Sequence, residues 1–322
     1  MKAKIFVLCG LPGSSKSTWA KNNKDKLNAV VHSSDSIREQ LGDINDQSQN
    51  ELVFKILHKR IKEDLLNGKN VILDATNLKR KNRRYVLNNI LKDVPCEKIC
   101  VLFATPFEIC KRNNANRDRK VPEHVISYMY KNFEVPCKQE QWDDIQIVWW
   151  DYEKDGMKFD YKNDLEMWRK VSQDNPHHTL SIGDHMIAAS SYYSGMCSSY
   201  EDRTTEDKLL SMAILMHDCG KIHVKSFFDK NGNISEKARY YEHHNVGAYQ
   251  SLFYLKEMRE SSDLCNYTDD DILYISLLIN CHMRHFMAYK DSEKAKERDR
   301  KLFGDDFMHS LDILHMCDLK AH

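Results

Sequence analysis

The chain has 322 residues with 48 Lys+Arg against 48 Asp+Glu, and its 41% hydrophobic residues are spread along its whole length. That excludes a disordered polymer and leaves room for two domains with cores of their own. The zero net charge lacks the excess typical of proteins that coat nucleic acid or membranes, yet it conceals a division. Residues 1–150 hold 26 basic and 18 acidic side chains and residues 151–322 hold 22 and 30, a net +8 followed by −8. Eleven Gly and six Pro are few, which favours helices over a turn-rich all-β fold. The ten cysteines form no CxxC pair, excluding a zinc ribbon or a thioredoxin-like motif, and read as reduced thiols of a cytoplasmic protein. No apolar run approaches the ~20 residues that span a bilayer, so no membrane partner is expected. Met1 runs straight into a strand without a cleavable signal.

In chain order, Lys4-Ile-Phe-Val-Leu-Cys-Gly10 is the apolar run of a buried parallel strand entering a tight turn. Gly10-Leu-Pro-Gly13-Ser14-Ser15-Lys16-Ser17-Thr18 follows and opens a helix, the context that gives a Walker A motif its meaning. Backbone amides of such a loop cradle phosphates, Lys16 reaches the β/γ-phosphates and the Ser17 hydroxyl binds Mg²⁺. Ser15 stands where GxxxxGK[ST] has glycine, as in a plain Gly/Ser-rich turn capping a helix. Lys16 and Ser17-Thr18 at the required positions favour phosphate binding.

Further strands are expected near 29–33, 70–75, 98–104 and 145–150, alternating with helical patterns at about 16–27, 48–67, 79–92, 106–116 and 122–133. This alternation predicts an α/β fold, an open parallel sheet with helices on both faces and ligands at the strands' carboxyl ends. After the second strand, Asp35 is suited to take the proton of an attacking hydroxyl and Arg38 to hold an anionic substrate. An N-cap beside a solvated arginine fits equally well. After the third, Asp74 is suited to orient Mg²⁺ or its water. The run Lys79-Arg-Lys-Asn-Arg-Arg84 reads as a solvated helix face more readily than as a phosphate contact. Arg112, Arg117 and Arg119, between two helices, form a candidate lid whose arginine neutralises charge on a transferred phosphoryl group.

Taken together, Gly-Leu-Pro-Gly-Ser-Ser-Lys-Ser-Thr, Ser-Asp-Ser-Ile-Arg, Asp-Ala-Thr-Asn, Lys-Arg-Asn and Val-Pro-Glu-His-Val-Ile resemble the 5′-hydroxyl polynucleotide kinases among the P-loop phosphotransferases, over about 1–150. The resemblance implies ATP, or another NTP, with Mg²⁺ at Lys16 and Ser17. It also implies Asp35 as general base, Arg38 at the acceptor's phosphate, and Arg112 or Arg117 as lid arginine. Residues 151–160 read as a polar linker to a domain at 161–322.

Twelve of the fifteen histidines lie at or beyond residue 177, in a region of mostly helical patterning. His185, His217-Asp218 with Lys221, His243-His244, His282 and Asp318 fall into these helices, where imidazoles and carboxylates can converge on metals. Ala213-Ile-Leu-Met-His-Asp-Cys-Gly-Lys221 and Leu311-Asp-Ile-Leu-His-Met-Cys-Asp-Leu-Lys-Ala321 resemble the HD phosphohydrolase superfamily, making this second part all-α. The resemblance implies one metal site of His185, His217, Asp218 and Asp318 and a second completed by His243 and His282, with His244 and His285 as adjacent competitors. It implies one or two divalent ions (Mn²⁺, Mg²⁺, Fe²⁺, Co²⁺ or Ni²⁺), attack on phosphorus by a metal-activated hydroxide, and Lys221 stabilising phosphate charge. His178 is a candidate substrate-phosphate contact or a helix-entry residue.

The pairing implies repair of nucleic-acid ends: a kinase for 5′-OH ends joined to a 3′-phosphatase or 2′,3′-cyclic phosphodiesterase, acting on RNA or DNA termini alongside a separate ligase. Three other readings stay open: a small-molecule kinase fused to an HD nucleotidase, a signalling-nucleotide hydrolase regulated by an ATPase, and a non-catalytic binder.

Overall fold

The computed structural model describes residues 2–42, 48–176, 179–197, 203–261 and 265–321. The chain divides into two compact units, Met1–Met129 with Pro136–Tyr152, and Tyr130–Val135 with Glu153–His322.

In the first unit β1 (Ala3–Cys9), β2 (Ala29–Ser33), β3 (Asn70–Asp74), β4 (Cys96–Ala104) and β5 (Asp144–Trp149) form a parallel sheet in the order β2-β3-β1-β4-β5. The helices are α1 (Lys16–Asn23), α2 (Ser34–Leu41), α3 (Asn50–Leu66), α4 (Arg80–Tyr85), α5 (Phe107–Ala115) and α6 (Glu123–Tyr130). Ile5, Val7, Leu8 and Cys9 are fully buried, as the apolar run of β1 requires of a strand covered on both faces. Phe6, Leu8, Ile72, Val101 and Phe103 pack with Ala20 of α1 in one cluster. Because β3 and β4 flank β1 and their connections diverge, the end of β1 is the topological switch point of the sheet, where such folds bind ligands.

The basic run 79–84 is only partly the solvated face expected of it. Arg83 is completely buried and donates to Glu140 Oε2 at 2.8 Å and Oε1 at 2.6 Å and to the carbonyls of Asn77 and Leu78. Arg80 is buried as well, 3.6 Å from the same carboxylate. These two guanidiniums brace α4 against the segment leading into β5, because a buried carboxylate needs this many donors to offset its desolvation.

The second unit contains α7 (Tyr161–Trp168), α8 (Ile182–Met196), α9 (Thr205–Met216), α10 (Lys221–Val224), α11 (His243–Ser261), α12 (Asp269–Cys281), α13 (Glu293–Phe303) and α14 (Asp305–Lys320). Capping boxes at Thr204/Asp207 and Thr268/Asp271 fix the starts of α9 and α12. Met186, Ala213, Ile214, Val246, Leu252, Leu278 and Leu311 form apolar faces that are fully buried. The helical reading of this region omitted a two-stranded antiparallel hairpin, β6 (Ser226–Phe228) and β7 (Ile234–Arg239). Its turn is organised by Asp229, which accepts from the amides of Asn231 and Asn233 at 2.8 Å each, and by Gly232 at φ +83°.

Two segments from outside the helical stretch complete this unit. Phe159, within the polar 151–160 segment, stacks on Phe253 at 4.9 Å. Tyr130–Val135 leaves the first unit to pack here. Phe133 meets Tyr249 edge-on at 4.9 Å, the Asn280 side chain bonds both the Phe133 carbonyl and the Val135 amide at 3.2 Å, and Asn245 donates to the Lys131 carbonyl at 2.8 Å. All ten cysteines are free thiols. No described helix is long and apolar enough to cross a membrane.

Candidate functional sites

The loop after β1 is shaped by close approaches. Gly13 sits at φ +82°, and a Cβ there would lie 2.2 Å from the Cys110 carbonyl oxygen of α5, so only glycine fits. Asn113 donates to the Gly13 carbonyl at 3.0 Å. Ser15 adopts φ 66°, ψ 19°, the left-handed conformation glycine supplies in the general pattern. A serine held in this conformation stores local strain. Lys16 is buried, and its ammonium donates to the Leu11 carbonyl at 2.6 Å and to Ser14 Oγ at 3.3 Å. Burial lowers its pKa, with the Asp74 carboxylate acting against that. Asn77, at φ 45°, donates to the Leu8 carbonyl while the Gly10 amide donates to the Thr76 carbonyl, pinning the turn after β3 to the loop.

The other predicted residues follow the ends of neighbouring strands or lie in the lid segment. Asp35 lies in the first turn of α2 and is 40% exposed. Its Oδ1 accepts from Arg38 at 3.0 Å and its Oδ2 meets Arg119 at 2.5 Å, while Arg38 is also held by Asn50 Oδ1 at 2.8 Å. Arg38 is thus buried against the carboxylate, contrary to the solvated-arginine alternative. Of the lid arginines, Arg119 reaches Asp35, Arg117 lies close enough to Lys16 for its charge to be felt there, and Arg112 lies in the last turn of α5. Asn114 ties the lid segment's end to α5 through two hydrogen bonds to Val121 at 2.8 and 3.0 Å. A cavity of about 240 Å³ opens beside the loop, lined by Ser14, Ser15 and Thr18 and by Trp19, Trp149 and Trp150. Trp149 at the end of β5, Trp150 after it and the arginine pair on Asp35 are what sequence reading underused.

In the second unit His185 projects from α8, His217 and Asp218 follow α9, His243 begins α11, His282 follows α12 and Asp318 lies near the end of α14. Close backbone approach makes this possible. A Cβ on Gly220 would lie 2.0 Å from the His243 carbonyl oxygen and 2.4 Å from the Gly247 amide nitrogen. His185, His217, Asp218 and Asp318 offer mutually close ligand atoms, and Asp218, His243 and His282 form a second such group. Asp218 faces both: Oδ2 lies 3.3 Å from His217 Nε2 and 3.4 Å from His185 Nε2, and Oδ1 lies 3.1 Å from His243 Nε2 and 3.7 Å from His282 Nε2. Asp318 Oδ1 is 3.0 Å from His185 Nε2.

Each of the four imidazoles is oriented from behind. Nδ1 of His185, His217, His243 and His282 contacts the carbonyls of Ala321, Ile214, Tyr240 and Ile279 at 2.7–2.8 Å. A carbonyl only accepts, so Nδ1 carries a hydrogen and Nε2 is the ring atom turned inward, where its lone pair is free to bind a metal or a proton. His217 and His185 then bring Nε2 atoms to 3.3 Å, and His243 and His282 to 3.1 Å. Lone pairs at that separation repel unless a cation or a proton lies between them. The spacing matches cis ligands of an octahedral ion with bonds of about 2.1 Å, so the donor set fits one or two divalent metals. Without metal, burial opposes charge on His217, but the carboxylates of Asp218 and Asp318 win and push its pKa up to about 10. Asp218 is held well below the usual carboxylate range despite its burial, chiefly by Lys221 and His217. Lys221 Nζ lies 2.6 Å from Asp218 Oδ2 and donates to Gln173 Oε1 at 2.8 Å, a buried partner that sequence reading missed.

The adjacent histidines fall elsewhere. His285 Nε2 lies 2.6 Å from Asp312, and its ring stacks on His315 at 4.2 Å. His244 flanks the rings of His243 and His282 without joining either ligand group, and burial beside His243 pushes its pKa down to about 3. His178 lies outside the described residues.

Residues 5–136 match the family model of the AAA domain and residues 182–308 that of the HD domain. An L-seryl-tRNA(Sec) kinase of Methanococcus maripaludis is 30% identical over 144 residues, covering 43% of this chain and 56% of the relative. Protein kti12 of Schizosaccharomyces pombe is 25% identical over 153 residues, covering 43% and 54%. The chain thus spans about half the length of the curated relatives it matches. Among solved structures, a chain of the Pnkp1/Rnl/Hen1 RNA repair complex matches with a TM-score of 0.36 and 24% identity over 39% of this chain and 42% of that one.

Proposed function

From a chain that joins an AAA-type, kinase-like P-loop domain to an HD domain, and is therefore an enzyme, we propose a nucleic-acid end-healing activity: 5′-hydroxyl phosphorylation by the first domain and 3′-phosphate or cyclic-phosphate removal by the second. The observation that carries this reading is the carboxylate of Asp35, in the first turn of the helix after β2 and held between Arg38 and the lid segment's Arg119.

In the kinase half, the nucleobase of ATP enters the tryptophan-lined cavity and its phosphates lie along the loop amides. Lys16 exchanges its bond to the Leu11 carbonyl for the β/γ-phosphates, and Ser17 and Asp74 are the residues that would hold Mg²⁺. The 5′-hydroxyl gives its proton to Asp35 as its oxygen bonds the γ-phosphorus and the bond to ADP breaks, while Arg38 holds the acceptor's phosphate and Arg117 faces the charge on the transferred group. Arg119 must release Asp35 for this step, so the ion pair is a resting contact. A kinase relative whose name places its acceptor on a tRNA agrees with a hydroxyl carried by RNA.

In the HD half, bound divalent metal supplies Lewis acidity and an acidified water. His185, His217 and Asp318 hold one side of the cluster, His243 and His282 the other, and Asp218 spans both. Lys221 offsets charge on the phosphate oxygens.

A short RNA bearing 5′-OH and 3′-phosphate ends, given ATP with Mg²⁺ or Mn²⁺ and followed at both termini, tests the proposal. A 5′-phosphate and a 3′-OH are expected. Absence of 5′ labelling, or labelling that survives Asp35→Asn, overturns the kinase assignment. Phosphate release that survives chelation overturns the metallohydrolase assignment.

A further inference from the structure

The second half of the chain carries a net charge of −8, yet residues 221–241 within it hold five Lys/Arg against two Asp/Glu. This stretch is the β6–β7 hairpin with its two flanks, α10 before it and Tyr240-Tyr241 leading into α11. It begins at Lys221 and leads into His243, both of which contact Asp218. The base of the hairpin is fixed to that cluster through one loop. Lys225 meets Asp174 at 2.5 Å, the Ala238 amide donates to the Asp174 carbonyl at 2.9 Å and Tyr240 donates to the Gln173 carbonyl at 2.6 Å. The side chain of the same Gln173 accepts from Lys221.

The body of the hairpin, by contrast, presents aromatic and cationic groups outward. Phe228 and Ile234 are cross-strand partners, 54% and 85% exposed, and Phe227, at the irregularity in the strand pairing between Ser226 and Phe228, is 41% exposed. Lys225 lies over the Phe227 ring at 5.9 Å and Lys230 over the Tyr241 ring at 5.2 Å, and Lys237 and Arg239 are exposed on β7. A two-stranded hairpin is marginal by itself and gains nothing from exposing a bulky apolar pair. Aromatic faces interleaved with cations are the combination that takes successive bases by stacking and their phosphates by charge.

We propose that this hairpin is the platform for the single-stranded run of nucleotides leading to the 3′ end. Phe227 and Phe228 stack bases, and Lys230, Lys237 and Arg239 face phosphates, directing the terminal phosphate to the Asp218 cluster. The inference rests on the end-healing reading and supplies the local positive surface that an acidic domain needs for a polyanionic substrate.

The test compares phosphate release from a ten-nucleotide single strand with 5′- and 3′-phosphates against release from p-nitrophenyl phosphate, using the metal-loaded full chain and the F227A/F228A and K230Q/K237Q double variants. The aromatic variant should raise KM for the oligonucleotide about 5- to 100-fold with kcat and p-nitrophenyl phosphate hydrolysis unchanged. The lysine variant should flatten the salt dependence of that KM. Unchanged 5′-hydroxyl phosphorylation and circular dichroism verify folding. An unchanged oligonucleotide KM, as for a face that docks a protein instead, or an equal loss on both substrates, overturns the platform. If wild-type chain releases no phosphate from the oligonucleotide, the substrate reading fails. Fluorescence anisotropy of a labelled single strand then decides the platform: weakened binding in F227A/F228A upholds it and unchanged binding overturns it.

Discussion

The two candidate sites are built in opposite ways. Around Asp218 the imidazoles of His185, His217, His243 and His282 are each locked by a backbone carbonyl behind them, and their inward nitrogens converge on the carboxylates. Around the phosphate loop the working groups satisfy one another instead: Lys16 bonds its own loop, and Asp35 is occupied by Arg38 and Arg119. The metal-type site is preorganised and needs an ion to relieve it. The loop site is self-quenched and needs a substrate to redistribute its bonds. Charge that is permanent in the ligand can be met by a rigid cage, whereas charge that moves during phosphoryl transfer is met by side chains able to change partners.

The sharpest break in this comparison comes from Asp218→Ala. Removing the carboxylate shared by both ligand groups should lower phosphate release about a thousandfold or more, with a matching loss of bound metal by elemental analysis, while 5′ phosphorylation persists. Lys16→Ala should do the converse, lowering 5′ phosphorylation about 100- to 1000-fold and leaving phosphate release intact.

Proton and metal should compete at His217. Its pKa in the metal-free folded chain is about 10, above the ordinary 6.5, so the stability it contributes is complete below about 6.5 and is lost as pH rises through 10. Thermal unfolding of chelated protein should therefore weaken between pH 7 and pH 10 more than that of metal-loaded protein, in which the Nε2 proton has been displaced. Equal losses in the two forms would exclude the competition. Within the loop site, Arg117→Ala should lower kcat about 10- to 100-fold, whereas Arg119→Ala should change kcat by less than about threefold, because its bond to Asp35 is broken before transfer. Equal kcat losses would reverse that assignment. The smallest effect is expected at Ser15→Gly: relief of the left-handed strain is offset by a more flexible unfolded chain, so melting should shift by only a few degrees with kinase activity retained.

Legibility in the sequence followed the range of the interaction that decides each residue's place. The parallel sheet and the phosphate loop were readable because an apolar run and a Gly/Ser/Lys pattern are local signals. The helical core around His217-Asp218 was readable for the same reason. Choosing His282 over His285 required knowing that Asp312, 27 residues on, captures the latter. Choosing among three arginines required knowing that Arg119 returns to Asp35. Arg83 and Arg80 looked like surface charges because Glu140 lies some sixty residues away in sequence. The β6–β7 hairpin escaped notice because Phe227 and Phe228 are adjacent and blur the period-two alternation that marks a strand.

The course of Tyr130–Val135 bears on how such a chain can be taken apart. This segment lies inside the span matched by the first family model almost to its end, yet its side chains and carbonyls serve the second unit. No single cut therefore yields two intact pieces. A fragment ending at residue 150 would carry Phe133 stripped of Tyr249, and one starting at 153 would leave the amides of Asn245 and Asn280 with acceptors missing. The two units are therefore interleaved along the chain, and only the unbroken chain supplies each of these groups with its partner.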